Sequence, residues 1–231
     1  LPEIPKLRLE VDEHHHHKDV YEHSITVLEQ AIEHEDRLGG PNLVLRLASL
    51  LHDIGKPKTR AFIEGGGVSF HHHEVVGARL AKKRLQALRF DNDTIDAVEL
   101  LTSLHLRFHG YGEGEWTDSA VRRYVRDAGE FITHLHVLTR ADCTTRNKSK
   151  AARLAATYDS LEARIAVLME QEELSKIRPD LDGAQVMQIL NVKPSREVGQ
   201  AMDFLLELRL EQGPIGEEAA TKALLDWWAK K

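Results

Sequence analysis

Apolar residues recur every three or four positions through almost the whole chain, and this periodicity limits the fold to packed helices. Val20, Val27, Leu28, Ala31 and Ile32 make the first such stripe. Asp19 precedes it as an N-cap and Gly39-Gly40 follows it as a stop, so a helix is expected over 19–38 with His23 on the face of Val20 and Val27. A second is expected over 42–52, opened by Pro41 and closed by Gly55 and Pro57, with the His52-Asp53 pair in its last turn. The pattern breaks where Ala61-Phe62-Ile63 and Val68-Ser69-Phe70 flank Glu64-Gly65-Gly66-Gly67, which reads as a short hairpin. Helical spacing then predicts helices over 74–88, 93–107, 118–128, 131–143 and 149–171, and a tail of three over 184–190, 195–211 and 217–229, punctuated by Pro194 and Gly213-Pro214. The expected fold class is all-α: a helical bundle with one short β-hairpin, followed by a small helical tail. Residues 1–18 would form a connecting segment, 19–155 the main domain and 156–231 the tail.

The chain has 231 residues, 42% hydrophobic and 29% charged, as expected of an ordinary globular protein. No apolar run approaches the roughly 20 residues of a membrane span, so no membrane partner is expected. The start, Leu1-Pro2-Glu3-Ile4-Pro5-Lys6, has neither an initiator Met nor a basic-then-apolar leader and reads as part of a longer polypeptide. A single Cys143 excludes an internal disulfide and suits a reducing, cytoplasmic setting. The net charge of −6 argues against a protein that coats nucleic acid, yet the sign reverses locally. Between Thr117 and Arg153 eight basic residues, among them Arg122, Arg123, Arg126, Arg146 and Lys148, face four acidic ones. Such a segment can meet phosphate or simply form a solvated helix face.

The residues with the most chemistry are His52 and Asp53, where the apolar run Leu50-Leu51 stops at an imidazole and a carboxylate. Together they offer nitrogen and oxygen lone pairs to one point, the mixed donor set that a divalent cation takes. Further candidate ligands lie at the ends or faces of other expected helices: His23, His73, His105 and Asp142. Of His71-His72-His73 only one can face a given point, and His73 has Glu74 and Gly77 beyond it. His105 and His109 are four apart, which puts both on one helical face unless Gly110 ends the helix first. His14-His15-His16-His17 runs straight into the capped helix and reads as native sequence, His17 being a candidate for orienting a ligand. Cations held by neutral imidazoles and carboxylates lower the pKa of water toward neutrality, and phosphate-ester cleavage is the natural use of that chemistry.

The order His23, His52-Asp53, His73, His105, Asp142, over about residues 15–150, resembles the HD superfamily of metal-dependent phosphohydrolases. The resemblance implies that His23, His52, Asp53 and Asp142 hold one metal, and that Asp53, bridging to His73 and His105, makes room for a second. One or two divalent ions (Mn, Ni, Co, Fe, Zn or Mg) would be the cofactor. Asp53 and Lys56 are the expected catalytic pair, Lys56 standing beyond the glycine turn as a point charge for a phosphate oxygen or else as an exposed lysine after a helix.

Four further stretches, His105-Leu106-Arg107-Phe108-His109-Gly110-Tyr111, Trp116-Thr117-Asp118-Ser119-Ala120-Val121-Arg122-Arg123, Arg140-Ala141-Asp142-Cys143-Thr144-Thr145-Arg146-Asn147 and Ile177-Arg178-Pro179-Asp180-Leu181-Asp182-Gly183, resemble the carboxy-terminal half of bacterial CCA-adding tRNA nucleotidyltransferases and poly(A) polymerases. That resemblance implies tRNA or another RNA as partner, met by Arg122, Arg123, Arg126, Arg146 and Lys148, and a nucleotidyltransferase head preceding this segment. The Gly-Ser turn and Asp-x-Asp pair of that head do not occur together here, so nucleotide addition is not expected from these residues. Asp180-Leu181-Asp182 follows a proline in a turn and reads as helix capping. The implied activity is hydrolysis of phosphomonoesters or 2′,3′-cyclic phosphates. A non-catalytic RNA-binding module with a structural metal, and a free-standing nucleotidase or phosphodiesterase, are the alternatives.

Overall fold

The computed structural model describes residues 1–9, 19–63, 68–111, 116–172 and 177–231. Helices dominate them. In chain order these are α1 (Val20–Glu33), α2 (Leu43–Leu51), α3 (Lys56–Thr59), α4 (His73–Ala87), α5 (Asn92–Leu104), α6 (Asp118–Ala128), α7 (Ile132–Asp142), α8 (Lys148–Glu172), α9 (Gly183–Leu190), α10 (Arg196–Gln212) and α11 (Glu217–Trp228). Among the described residues the one sheet pairs β1 (Ala61–Phe62) with β2 (Val68–Ser69), antiparallel, with Ala61 opposite Ser69. The glycine loop between the strands and the His14–His17 run lie outside the described residues.

The chain forms two compact units, one from Leu1–Gly114 and Ala128–Ser160, the other from Glu115–Asp127 and Leu161–Lys231. In the first unit α1 packs on α2 and α7, α2 on α5, and α4 along α5. Val27, Ala31, Leu45, Ala48, Leu51, Leu101, Leu135 and Leu138 are fully removed from water or nearly so. Burial of each leucine there contributes about 1.5–3 kcal/mol.

The helix starts follow the capping residues. Asp19 accepts from the N–H of Tyr21 at 2.9 Å, Asn42 from that of Leu45 at 2.8 Å, and Asp91 from that of Thr94 at 2.8 Å. Three ends depart from the sequence expectation. The helix expected over 19–38 stops at Glu33, and Glu35–Leu38 forms a 3-10 turn closed by Gly39 in the left-handed conformation. The turn places the buried Glu35 against Arg46, which it pairs with at 2.7 Å. The helix expected over 93–107 stops at Leu104, and Arg107–Tyr111 is a separate 3-10 turn, so His109 is exposed and does not share a helical face with His105. Pro57 does not end a helix but sits in the first turn of α3, where its missing N–H is no loss.

In the second unit Leu181, Val186, Ala201, Leu205, Ala220 and Leu224 form a small core. Asp182 caps α9 in a reciprocal capping box with Gln185, while Asp180 accepts from Arg209 at 2.9 Å and from the N–H of Ile215 at 3.0 Å. Arg122 is buried here. Its guanidinium pairs with both Glu172 oxygens at 2.8 and 2.9 Å and donates to the carbonyls of Leu210 and Glu211 at 3.1 and 3.2 Å.

One close backbone approach in the first unit sets the position of everything near the His-Asp pair. A Cβ on Gly55 would lie 2.1 Å from the carbonyl oxygen of His73 and 2.7 Å from the nitrogen of Gly77. A Cβ on Gly77 would lie 3.3 Å from the Gly55 nitrogen. Only glycine lets the start of α4 lie directly on the turn that follows His52-Asp53. Gly55→Ala is expected to lower stability by about 1–3 kcal/mol or more through this overlap, measured by urea denaturation. An unchanged midpoint would show that the approach is not tight.

Candidate metal centre

The six histidine and aspartate residues singled out from the sequence come from five helices. His23 is in the first turn of α1, His52 caps the C-terminus of α2 with Asp53 next to it, His73 begins α4, His105 caps the C-terminus of α5, and Asp142 is the last residue of α7. Three of these contributions come from helix C-termini, where the unpaired carbonyls carry partial negative charge and favour a cation. His23, His52, Asp53, His73 and His105 are all buried.

Three imidazoles are held the same way. The Nδ1–H of His52 donates to the carbonyl of Ser49 at 2.8 Å, that of His73 to Phe70 at 2.9 Å, and that of His105 to Thr102 at 2.7 Å. A carbonyl can only accept, so the proton is on Nδ1 and each Nε2 lone pair turns inward. His23 has its Nδ1 3.2 Å from Thr144 Oγ1, which orients the fourth ring. Thr144 was not among the sequence candidates. The contact joins residues far apart in the chain, and nothing in the local sequence points to it.

The inward atoms form two groups among the described residues, His23 with His52 and Asp142, and Asp53 with His73 and His105. In the first, His23 Nε2 lies 2.8 Å from Asp142 Oδ1 and 3.3 Å from His52 Nε2. In the second, Asp53 Oδ1 lies 3.1 Å from His73 Nε2 and 3.9 Å from His105 Nε2. The Asp53 carboxylate stands between the groups, since its Oδ2 is 3.2 Å from His52 Nε2 and 3.6 Å from His23 Nε2. Donors sharing one cation at about 2.1 Å lie about 3–3.5 Å apart, and these separations of 2.8–3.9 Å bracket that range. The chemistry fits as well: the Nε2 atoms of His73 and His105 are buried and accept no hydrogen bond. Such orphaned acceptors cost about 1–3 kcal/mol each unless something fills their lone pairs.

Lys56 is buried rather than exposed, and its Nζ lies 2.9 Å from Asp53 Oδ2. The basic residues fall into two kinds. Arg122 is enclosed in the second unit, and Arg123 pairs with Glu207 at 2.6 Å and Glu211 at 2.5 Å. Arg126 is exposed and paired with the adjacent Asp127 at 2.8 Å, while Arg146 and Lys148 are exposed where α8 begins.

Burial works against charge on His52, but the carboxylates of Asp53 and Asp142 outweigh it and push its pKa from 6.5 up to about 9. Burial, reinforced by the charge on His52, drives His105 down to about 3. Burial also opposes the charge on both aspartates, yet His52 and Lys56 hold Asp53, and His23 and His52 hold Asp142, well below the usual carboxylate range. In metal-stripped protein the raised His52 therefore adds stability that is complete below its ordinary 6.5 and fades as pH rises through about 9. A cation must displace that proton, whereas His105 has none to lose. Metal affinity is expected to rise about tenfold per pH unit from pH 6.5 and to level off above about 9, measured by calorimetric titration in buffers of different ionisation enthalpy. Affinity independent of pH across that window would contradict it.

Residues 20–171 match the HD domain family. The chain is 31% identical over 219 residues to the A-adding tRNA nucleotidyltransferase of Deinococcus radiodurans, a match covering 94% of this chain and 48% of the relative. It is 33% identical over 234 residues to the CC-adding tRNA nucleotidyltransferase of Thermus thermophilus, covering 97% and 49%. The multifunctional CCA protein of Actinobacillus pleuropneumoniae is 26% identical, covering 80% and 46%. The chain thus spans about half the length of the curated relatives it matches. With candidate His-Asp ligand groups gathered at helix ends and a match running from the start of α1 through residue 171 of α8, the chain belongs to the HD domain family.

Proposed function

We propose that the chain is a divalent-metal-dependent phosphohydrolase unit of a tRNA 3′-end processing protein, acting on phosphomonoesters or 2′,3′-cyclic phosphates. The observation that carries this reading is the buried Asp53 carboxylate, which shares one three-residue group with His73 and His105 and turns its second oxygen toward the other group. His23, His52 and Asp142 would hold one cation and Asp53, His73 and His105 a second, with Asp53 bridging. Divalent cations there supply Lewis acidity and lower the pKa of water toward neutrality. The protein's own part is orientation and charge. The Ser49, Phe70 and Thr102 carbonyls take the Nδ1–H of three imidazoles and so aim each Nε2 inward, and Thr144 holds the fourth. Lys56 contributes a fixed positive charge beside Asp53 and would meet a phosphate oxygen as the ester turns over.

The relatives are tRNA nucleotidyltransferases, and this supports tRNA as the partner and a nucleotidyltransferase domain N-terminal to this segment in the full-length protein. Exposure narrows the RNA-binding candidates to Arg126, Arg146 and Lys148. Arg122 and Arg123 are committed to carboxylates in the second unit, although Arg123 is accessible enough to exchange partners.

Turnover of a chromogenic phosphodiester and of 2′,3′-cyclic AMP with Mn, Ni, Co, Fe, Zn or Mg tests the hydrolytic assignment. His52→Ala and Asp53→Ala are expected to lower the rate by at least about 100-fold, since several kcal/mol of charge stabilisation depend on these side chains. Equal turnover in parent and variants would sink it, and metal binding without any turnover would leave the cation a structural role.

For the RNA reading, Arg146→Glu with Lys148→Glu is expected to weaken tRNA binding and to flatten its salt dependence by about 0.7–0.9 per lost phosphate contact. Unchanged affinity and slope would remove this segment from the RNA path.

A further inference from the structure

Beside the His-Asp turn, in the first unit, lies a cavity of about 390 Å³ whose lining includes none of the six histidine and aspartate residues. Its floor is aliphatic, built from Ile54, Pro57, Leu80 and Ala87. Lys6, Lys58 and Lys83 stand around it, all exposed and none with an ion-pair partner among the described residues. The other two charged residues of its wall cancel, because Arg84 holds the Glu3 carboxylate through Nε at 2.9 and 3.0 Å and through a second nitrogen. Among the described residues, the cavity wall therefore carries three uncompensated positive charges over an apolar floor.

Three like charges around one concavity repel and raise the local potential for an anion. Their flexible ammonium groups suit a ligand with several phosphate oxygens better than a single carboxylate. The aliphatic floor suits a flat, weakly polar body, and the volume falls within the range of small-molecule sites. No side chain of the wall offers a neutral hydrogen-bond donor or acceptor with which to read one base from another. We propose that this cavity binds a free nucleoside di- or triphosphate, with the phosphates among Lys6, Lys58 and Lys83 and the base on the Ile54–Leu80 floor without base selectivity. The site is separate from the metal centre and does not depend on the hydrolytic reading, although Ile54 and Pro57 flank the residues that carry Asp53 and Lys56.

Binding of ATP, CTP and inorganic triphosphate to the whole chain in EDTA, followed by calorimetry and by the methyl resonances of Ile54 and Leu80, tests the assignment. Working without metal keeps the histidine site out of the measurement. ATP and CTP are expected to bind within about threefold of each other and at least tenfold more tightly than inorganic triphosphate, with shifts at both methyl groups. Lys58→Glu with Lys83→Glu, both at exposed positions, should weaken ATP and triphosphate alike by at least tenfold, whereas Lys58→Arg with Lys83→Arg should stay within about threefold. Ala87→Trp, which adds bulk at an exposed edge of the floor, should weaken ATP but not triphosphate. Equal affinity for ATP and triphosphate, or ATP affinity unmoved by the charge reversals, would overturn the proposal.

Discussion

A carboxylate buried like that of Asp53 cannot stay ionised without compensation, and the first unit is arranged to provide it. Lys56 supplies a cation at 2.9 Å, and His52 and His73 approach opposite oxygens at 3.2 and 3.1 Å. Each partner arrives on a different piece of chain: the end of α2, the start of α3 and the start of α4. The Gly55–Gly77 approach makes this possible, because two glycines let the backbone of one element stand where a side chain would otherwise be. The electrostatic demand of one buried oxygen pair and the steric permission of two glycines together fix how α2, α3 and α4 meet.

The remaining candidate ligands follow a common rule. A helix end leaves carbonyls without intrahelical partners, and a histidine in the last turn can donate its Nδ1–H back to one of them. His52 and His105 both do so, to Ser49 and Thr102. One hydrogen bond thereby satisfies a carbonyl, fixes a tautomer and points the other nitrogen at the centre. The result is a ring of lone pairs where an ordinary core would have leucines. The carboxylates of Asp53 and Asp142 lift His52 toward about 9 against its burial, while burial, reinforced by the charge on His52, drives His105 to about 3. Two equally buried side chains move in opposite directions because the adjacent carboxylates outweigh burial at His52 and do not at His105, where the charge on His52 adds to it.

The arginines show how position decides the role of a residue type. Read along the sequence, Arg122, Arg123, Arg126, Arg146 and Lys148 make one basic segment. In three dimensions Arg122 spends its donors on Glu172 and two carbonyls, holding α6, α8 and α10 together within the second unit. Losing it would leave Glu172 without its cation in a half-buried setting, a change of stability rather than of RNA affinity. Local charge counting could not separate these residues, because the acidic partners of Arg122 and Arg123 are supplied by helices 50 to 88 positions away.

Local information determined the helices, since capping residues and apolar spacing act within a few positions: α6 runs over the expected residues, and Asp19 and Asp182 cap as expected. It also singled out His23, His52, Asp53, His73, His105 and Asp142 by type and order. Where the pattern misled, a tertiary contact or a turn took over, as when Glu35 left the first helix to pair with Arg46. Only the tertiary structure decided which lone pairs face one another, that Asp53 stands between two groups, that Thr144 holds His23, and that Lys56 is enclosed while Lys58, two residues on, lines a separate cavity. These depend on distances between helix ends far apart in the chain, which packing sets and local propensity does not.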